Sequence, residues 1–236
     1  MLDPFPRLLV LGHRGSPGAA LENTLRSFDL ALQDGADGVE LDVQRAGDGT
    51  PVVIHDGTLD RTFGVPGRIA ELAWPAIRQI TGARLPSLEQ ATAWAAAAGA
   101  WVNVELKSSG VEGDTVRILE AHGLMERSFV SSFDAEVVAR VGELAPAVRR
   151  FFLTESWNDQ ARDQLTRSAA AGLCLRVDAA TPMTLEVLRR EGLAVVVWTV
   201  DDPARITQLA AAGVAGIITN QPAAAVAAVR AAPGRG

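Results

Sequence analysis

The stretch Gly38-Val39-Glu40-Leu41-Asp42-Val43-Gln44-Arg45-Ala46-Gly47-Asp48-Gly49-Thr50-Pro51-Val52-Val53-Ile54-His55 contains two apolar, β-rich runs separated only by Gln44–Thr50. A parallel crossover needs about a dozen residues or more, so Gly38–Val43 and Pro51–His55 are expected to pair antiparallel. Asp48-Gly49 is a strong tight-turn signal. A loop centred on those two residues pairs positions whose numbers sum to 97, which sets His55 opposite Asp42 on the same face. Every other β-rich run lies farther from its neighbours: Leu8–Leu11, Trp101–Leu106, Phe129–Ser132, Val148–Leu153, Leu173–Val177, Ala194–Val200 and Gly216–Thr219. The intervals carry helical periodicity, as in Leu25, Phe28 and Leu32. Strand alternating with helix implies parallel βαβ units. Apart from Pro51–His55 there are eight strands, and 236 residues shared among eight give about 30 each, the size of one such unit. The expected fold is therefore α/β: a (β/α)8 TIM barrel with an extra antiparallel hairpin strand after strand 2, formed as a single domain over residues 1–236. A doubly wound open sheet is the alternative. Gly12-His13-Arg14-Gly15-Ser16-Pro17-Gly18 fits neither the dinucleotide-binding glycine pattern nor a Walker loop, so that alternative has no nucleotide site behind it.

Composition narrows the function. Hydrophobic residues make up 48% and charged residues 21%, which is ordinary for a globular protein. The formal charge of −6 and the lack of any local Lys/Arg run argue against nucleic acid as the main partner. The longest apolar stretches, Ala91–Val102 and Leu193–Val200, are too short for a membrane span of about 20 residues. The start, Met1-Leu2-Asp3-Pro4-Phe5-Pro6, lacks the order of a secretory signal. A cytoplasmic protein without a stable membrane anchor is expected, its oligomeric state left open. The lone Cys174 excludes a disulfide scaffold and a cysteine-based zinc site. Histidine occurs three times, tyrosine never, and Lys107 is the single lysine beside many arginines.

Polar residues inside barrel strands then locate a site. In Gly38–Val43, Val39, Leu41 and Val43 can face the helices, leaving Glu40 and Asp42 together on the inner face. In Trp101–Lys107 the same alternation puts Asn103, Glu105 and Lys107 on one side. Both acidic sets lie late in their strands, at the barrel end where active sites are built. Three convergent carboxylates repel one another unless a cation neutralises them, and oxygen-only ligands suit Mg²⁺ or Ca²⁺. Structural ion pairs, Glu105–Lys107 or Glu40–Arg45, are the competing account. His13 closes the first strand and His55 the hairpin strand, so both are expected beside the carboxylates; His122, before Gly123, is expected on the solvated surface. Two imidazoles can act as general base and general acid. A metal with Arg14 and Lys107 supplies the positive charge that phosphoryl transfer requires. Together these residues describe a phosphodiesterase.

His13-Arg14-Gly15, Leu21-Glu22-Asn23-Thr24, Glu40-Leu41-Asp42-Val43, Val52-Val53-Ile54-His55-Asp56, Glu105-Leu106-Lys107, Ser131-Ser132-Phe133-Asp134 and Trp198-Thr199-Val200 stand in an order and spacing that resembles the glycerophosphodiester phosphodiesterase family. The resemblance spans about Leu8 to Pro222. It implies a phospholipase-C-like barrel and metal-dependent hydrolysis of glycerophosphodiesters, as in lipid and glycerol metabolism, to sn-glycerol 3-phosphate and an alcohol. By the same resemblance Glu40, Asp42 and Glu105 would hold Mg²⁺ or Ca²⁺, and His13 and His55 would be the acid–base pair. Arg14 and Lys107 would contact phosphate, and Trp198 would wall the glycerol. Two positions depart from the family's usual pattern: Asp201 stands where it has Asn, and Asn220 where it has Asp. Gly57–Arg84 corresponds to the family's variable insertion, in which Arg61, Arg68 and Trp74 could touch a headgroup or simply pack. A lysophospholipase D-type enzyme, with Phe63-Gly64-Val65-Pro66 as an apolar entrance, is an alternative, as is a non-catalytic barrel that binds glycerophosphate-like ligands.

Overall fold

The computed structural model describes residues 5–232. Nine strands form one sheet: β1 (Leu9–His13), β2 (Gly38–Arg45), β3 (Pro51–Val53), β4 (Trp101–Leu106), β5 (Ser128–Ser132), β6 (Arg149–Thr154), β7 (Gly172–Arg176), β8 (Ala194–Trp198) and β9 (Gly216–Thr219). Eight of them run parallel in the order β1-β9-β8-β7-β6-β5-β4-β2, and the additional pairing of β1 with β2 closes the ring. Helices lie between the ring strands, which makes this a TIM barrel, and β3 is bonded antiparallel outside the ring on β2. Strand ends differ from the sequence expectation by two residues at most, as hydrogen bonding decides where a ladder stops.

Alternation explains the layers. Outward residues such as Val39, Leu41, Val43, Val102 and Val104 pack against helices in one apolar cluster, and Leu173, Leu175, Val195 and Val197 do so on the opposite side of the ring. Inward residues Leu9, Leu11, Phe129, Phe151, Leu153, Cys174, Val196 and Ile218 fill the barrel with Phe5. The Phe5 ring stacks on Phe151 at 5.7 Å and meets Trp101 edge-on at 5.3 Å, plugging the N-terminal end of the strands.

The hairpin is antiparallel as expected, but its register is not. Val43, Gln44 and Arg45 pair with Val53, Val52 and Pro51, so the numbers sum to 96. The loop has three residues, Gly47-Asp48-Gly49: the Gly49 N–H donates to the Ala46 carbonyl at 2.9 Å, and Ala46 N–H to Thr50 at 3.0 Å. Gly49 takes φ 90°, the left-handed residue that closes a three-residue hairpin with a bulge. Asp42 therefore faces Ile54, whose N–H donates to the Asp42 carbonyl at 2.9 Å, and β3 ends at Val53. His55 is not delivered by the ladder. It reaches the barrel mouth because the chain bends over His55-Asp56-Gly57, where Gln44 Nε2 donates to the His55 carbonyl at 2.9 Å.

The segment Gly57–Arg84 folds as a short helix (Asp60–Phe63), a 3-10 turn (Ile69–Glu71) and a helix (Trp74–Ile80) over a satellite cluster of Ala46, Val52, Ile54, Leu59, Ile69, Ile77 and Leu85. Phe63 and Val65 pack, partly buried, against that cluster. Trp74 packs there too, and Arg68 pairs with the exposed Glu71 at 2.9 Å. His122 is likewise not a free surface residue. Its Nδ1 lies 2.8 Å from Thr92 Oγ1 and its Nε2 3.4 Å from Glu89, tying together the helices Leu88–Ala98 and Glu112–Ala121. Among the described residues no helix is long and apolar enough to cross a membrane.

Candidate active site

The ring register brings the acidic residues together. His13 is level with Glu40, Glu40 with Asn103, and Asp42 with Glu105, so β1, β2 and β4 present them side by side at the C-terminal ends of the strands. Glu40, Asp42 and Glu105 are buried, and one oxygen from each lies within 4.8 Å of the others. Lys107 Nζ pairs with Glu105 and reaches Asp42 Oδ1 at 3.1 Å. Arg14 takes φ 58° in the left-handed region, which turns its Nε to within 3.1 Å of Asp42 Oδ2. Its backbone N–H donates to Glu40 Oε2 at 3.1 Å. The glycines on either side of His13-Arg14 are dictated by space and conformation. A Cβ on Gly12 would lie 2.3 Å from the Gly15 carbonyl oxygen, and Gly15 takes φ 93°.

Three carboxylates against two cations leave one net negative charge in a buried site. Burial, then repulsion from Asp42 and Glu105, raises Glu40 well above the usual carboxylate range. Burial and Asp42 likewise push Glu105 up to about 7, despite Lys107. Burial alone would raise Asp42, but Lys107 and Arg14 hold it below its ordinary value. Glu40 Oε1 has no hydrogen-bond partner among the described residues. A cluster so short of positive charge, with an unpartnered carboxylate oxygen and no thiolate or imidazole among its donors, fits a hard divalent cation.

The two histidines are held differently. His13 Nδ1 lies 2.7 Å from Asn220 Oδ1, with Nε2 3.9 Å from Glu40 Oε2. Burial and the Arg14 charge lower its pKa. His55 Nδ1 lies 2.7 Å from Asp56 Oδ1, and its charge bears on Asp42. Hydrogen bonding from Arg61, then from His55, holds Asp56 down at about 2. Arg61, in the helix Asp60–Phe63, also grips Glu22 through Nη2 at 2.7 Å, and Glu22 accepts from Arg14 at 3.0 Å. One residue of the insertion thus braces both the His55 bend and the loop after β1.

The structure places His13, Arg14, Glu40, His55, Glu105, Lys107 and Trp198 on one cleft at the barrel mouth, with Asp42 buried against Arg14 and Lys107. Several neighbours carried no role in the sequence. Phe133, Leu153, Glu155 and Ile218 line the same cleft. Phe133 is 45% exposed, lies edge-on to Trp198 at 5.6 Å and has Lys107 Nζ 5.9 Å from its ring centre. Asn23 takes φ 55° and donates Nδ2 to Asp42 Oδ2 at 2.8 Å. The position of Phe133 beside Ser131-Ser132 and of Asn23 beside Glu22 in recognisable motifs is the only sequence sign of either.

Residues 13–224 match the model of the glycerophosphoryl diester phosphodiesterase family, almost the whole barrel including both histidines and all three acids. The chain belongs to that family. It is accordingly an enzyme, a phosphoric diester hydrolase by class. A glycerophosphodiester phosphodiesterase of Caldanaerobacter subterraneus subsp. tengcongensis is 30% identical over 231 residues, covering 92% of this chain and 95% of its own length. One from Bacillus altitudinis is 30% identical over 235 residues, covering 92% and 96%. Among solved structures, an Oleispira antarctica phosphodiesterase in complex with the product sn-glycerol-3-phosphate matches with a TM-score of 0.85 at 27% identity, covering 94% of this chain and 97% of that one.

Proposed function

We propose that this chain hydrolyses glycerophosphodiesters to sn-glycerol 3-phosphate and an alcohol, using a divalent cation, Mg²⁺ or Ca²⁺, held by Glu40, Asp42 and Glu105. The observation that carries this is the convergence of three buried carboxylates with two histidines, one arginine and one lysine on a single cleft. When bound, the cation supplies Lewis-acid charge for the phosphoryl oxygens. It also turns the local balance from one negative charge to one positive, which suits a phosphodiester monoanion. Arg14 and Lys107 then contact the phosphate. His13 and His55 have their Nδ1 atoms engaged by Asn220 and Asp56, which leaves Nε2 of each ring for proton transfer. One imidazole takes a proton from the attacking water as its oxygen bonds to phosphorus, and the other gives one to the departing alkoxide as its P–O bond breaks. Trp198, with Phe133 beside it, walls the glycerol carbons while its Nε1 stays pinned to the Cys174 carbonyl at 3.0 Å.

The relatives' names and the product bound in the Oleispira antarctica structure support this substrate class. Purified protein incubated with Mg²⁺ or Ca²⁺ and glycerophosphocholine, glycerophosphoethanolamine or a lysophospholipid should release sn-glycerol 3-phosphate from the first two. Hydrolysis of the lysophospholipid alone, to lysophosphatidate and its headgroup alcohol, or of none of the three, would overturn the assignment.

A further inference from the structure

His13 has a second tier of partners behind it. Asn220 follows β9 directly, and Asp201 lies three residues past β8. The Asn220 backbone N–H donates to Asp201 Oδ1 at 2.7 Å and its side-chain Nδ2 to Asp201 Oδ2 at 2.8 Å. Thr219 Oγ1 donates to Asp201 Oδ1 at 3.0 Å. A carboxylate only accepts, so the amide nitrogen of Asn220 must be the atom that faces Asp201. The amide oxygen then faces His13, 2.7 Å from Nδ1. That oxygen also only accepts, so the ring hydrogen must sit on Nδ1. Nε2, the atom turned toward Glu40, is left with its lone pair.

We propose that Asp201 and Asn220 are positioning residues that act in series: Asp201 sets the orientation of the Asn220 amide, and Asn220 sets the tautomer and ring orientation of His13. This rests on His13 being a proton-transfer group of the hydrolysis. Holding the loop together does not explain the arrangement. The Val200 N–H already donates to the Ile218 carbonyl at 3.0 Å, and Asp202, not Asp201, caps the next helix through Ala204 N–H. The two positions are also where this chain departs, reciprocally, from the pattern it resembles. An amide and a carboxylate exchanged across one hydrogen bond keep that bond and still present an oxygen to His13.

The exchange is testable. Asp201→Asn keeps its amide oxygen toward the Asn220 N–H and Thr219 Oγ1 and turns its NH2 toward the Asn220 side chain, which then no longer favours presenting its own oxygen to His13. Asn220→Asp sets two carboxylates face to face. The double variant Asp201→Asn/Asn220→Asp restores one donor and one acceptor. A positioned proton-transfer group is worth roughly 100- to 10,000-fold, and blurring the tautomer forfeits part of that. Asp201→Asn should lower kcat about tenfold or more with KM little changed, and the double variant should recover to within a few-fold of the parent. Nitrogen-15 NMR of histidine-labelled protein with Mg²⁺, above the pH range where imidazole is charged, reads the tautomer directly. The parent should show His13 as Nδ1–H alone, Asp201→Asn a shift toward Nε2–H, and the double variant Nδ1–H again. An Nε2–H tautomer in the parent, an unchanged tautomer and kcat in Asp201→Asn, or a double variant no better than the worse single one would overturn the proposal. A parent protein inactive on glycerophosphodiesters would refute the proposed function instead, while the NMR result would still decide the positioning of His13.

Discussion

The two ends of the barrel are built from the same strands and could hardly differ more. At the N-terminal end Phe5, Trp101, Phe129 and Phe151 interlock, with ring centres 5.0 to 5.7 Å apart. At the C-terminal end Glu40, Asp42 and Glu105 crowd together with only Arg14 and Lys107 to offset them. β4 crosses from one to the other in six residues: Trp101 belongs to the plug, Asn103 accepts from Ser131 Oγ at 2.9 Å, and Glu105 joins the acids. Aromatic burial stabilises the ring at one end. Like charges that would otherwise push apart are held in place at the other. Stability and chemistry therefore sit at opposite ends of the strands, and substitutions should separate them.

The strongest break should come at the acidic end. Glu40→Gln removes a buried carboxylate whose charged form is disfavoured, so the metal-free protein should melt no lower than the parent at pH 8. Turnover should fall at least roughly 1000-fold, because several kcal/mol of charge stabilisation are lost. A melting scan beside a kcat measurement tests both halves at once. At the aromatic end the expectation reverses. Phe129→Ala should cost about 3–5 kcal/mol of stability and leave kcat per folded molecule near the parent value, measured by denaturant unfolding and active-site-normalised turnover. His13→Ala and His55→Ala should each lower kcat at least about 100-fold without a matching loss of stability. His122→Ala, which removes only a link between two helices, should keep kcat.

Much of this contrast was legible in the sequence, and what was not has physical causes. Alternation within a strand forces Glu40 with Asp42, and Glu105 with Lys107, to one face, and apolar neighbours specify which face points inward. His55 does not pair with Asp42 as the turn suggests, yet it lines the cleft with Glu40 and Glu105 by another route. Asp48-Gly49 reads as a two-residue turn, whereas Gly49 serves as the left-handed residue of a three-residue loop, and only the bend after Val53 restores the position. His122 was misjudged because its partners, Thr92 and Glu89, lie on a helix distant in sequence. The links from Arg61 to Glu22 and from Asn220 to Asp201 join loops after different strands, and local pattern has no access to loop-to-loop distances. Asp201 and Asn220 stand out in the sequence only as two separate departures, and the structure shows that they are in contact.

A smaller effect sharpens the comparison through pH. Glu105 titrates at about 7 in the fold, above its ordinary carboxylate value of 4.5. The folded state thus holds a proton that the unfolded chain has released, and stability is lost as pH rises through that window. The metal-free protein should accordingly melt lower at pH 7.5 than at pH 5. Mg²⁺ or Ca²⁺ should raise the melting temperature more at pH 7.5, since a cation prefers the ionised acids. A cation effect equal at both values would mean that the acids do not hold it. Phe129→Ala should melt lower throughout but keep the same pH trend.

The most direct test of a cation-dependent acidic end is turnover of glycerophosphocholine by protein that has been exhaustively chelated, dialysed and then titrated with Mg²⁺ or Ca²⁺. Activity should vanish on chelation, return saturably with the added cation in the parent, and fail to return at any cation concentration in Glu40→Gln. Unchanged turnover in the chelated, dialysed parent would contradict the account, because the three carboxylates would then be doing something other than holding a metal.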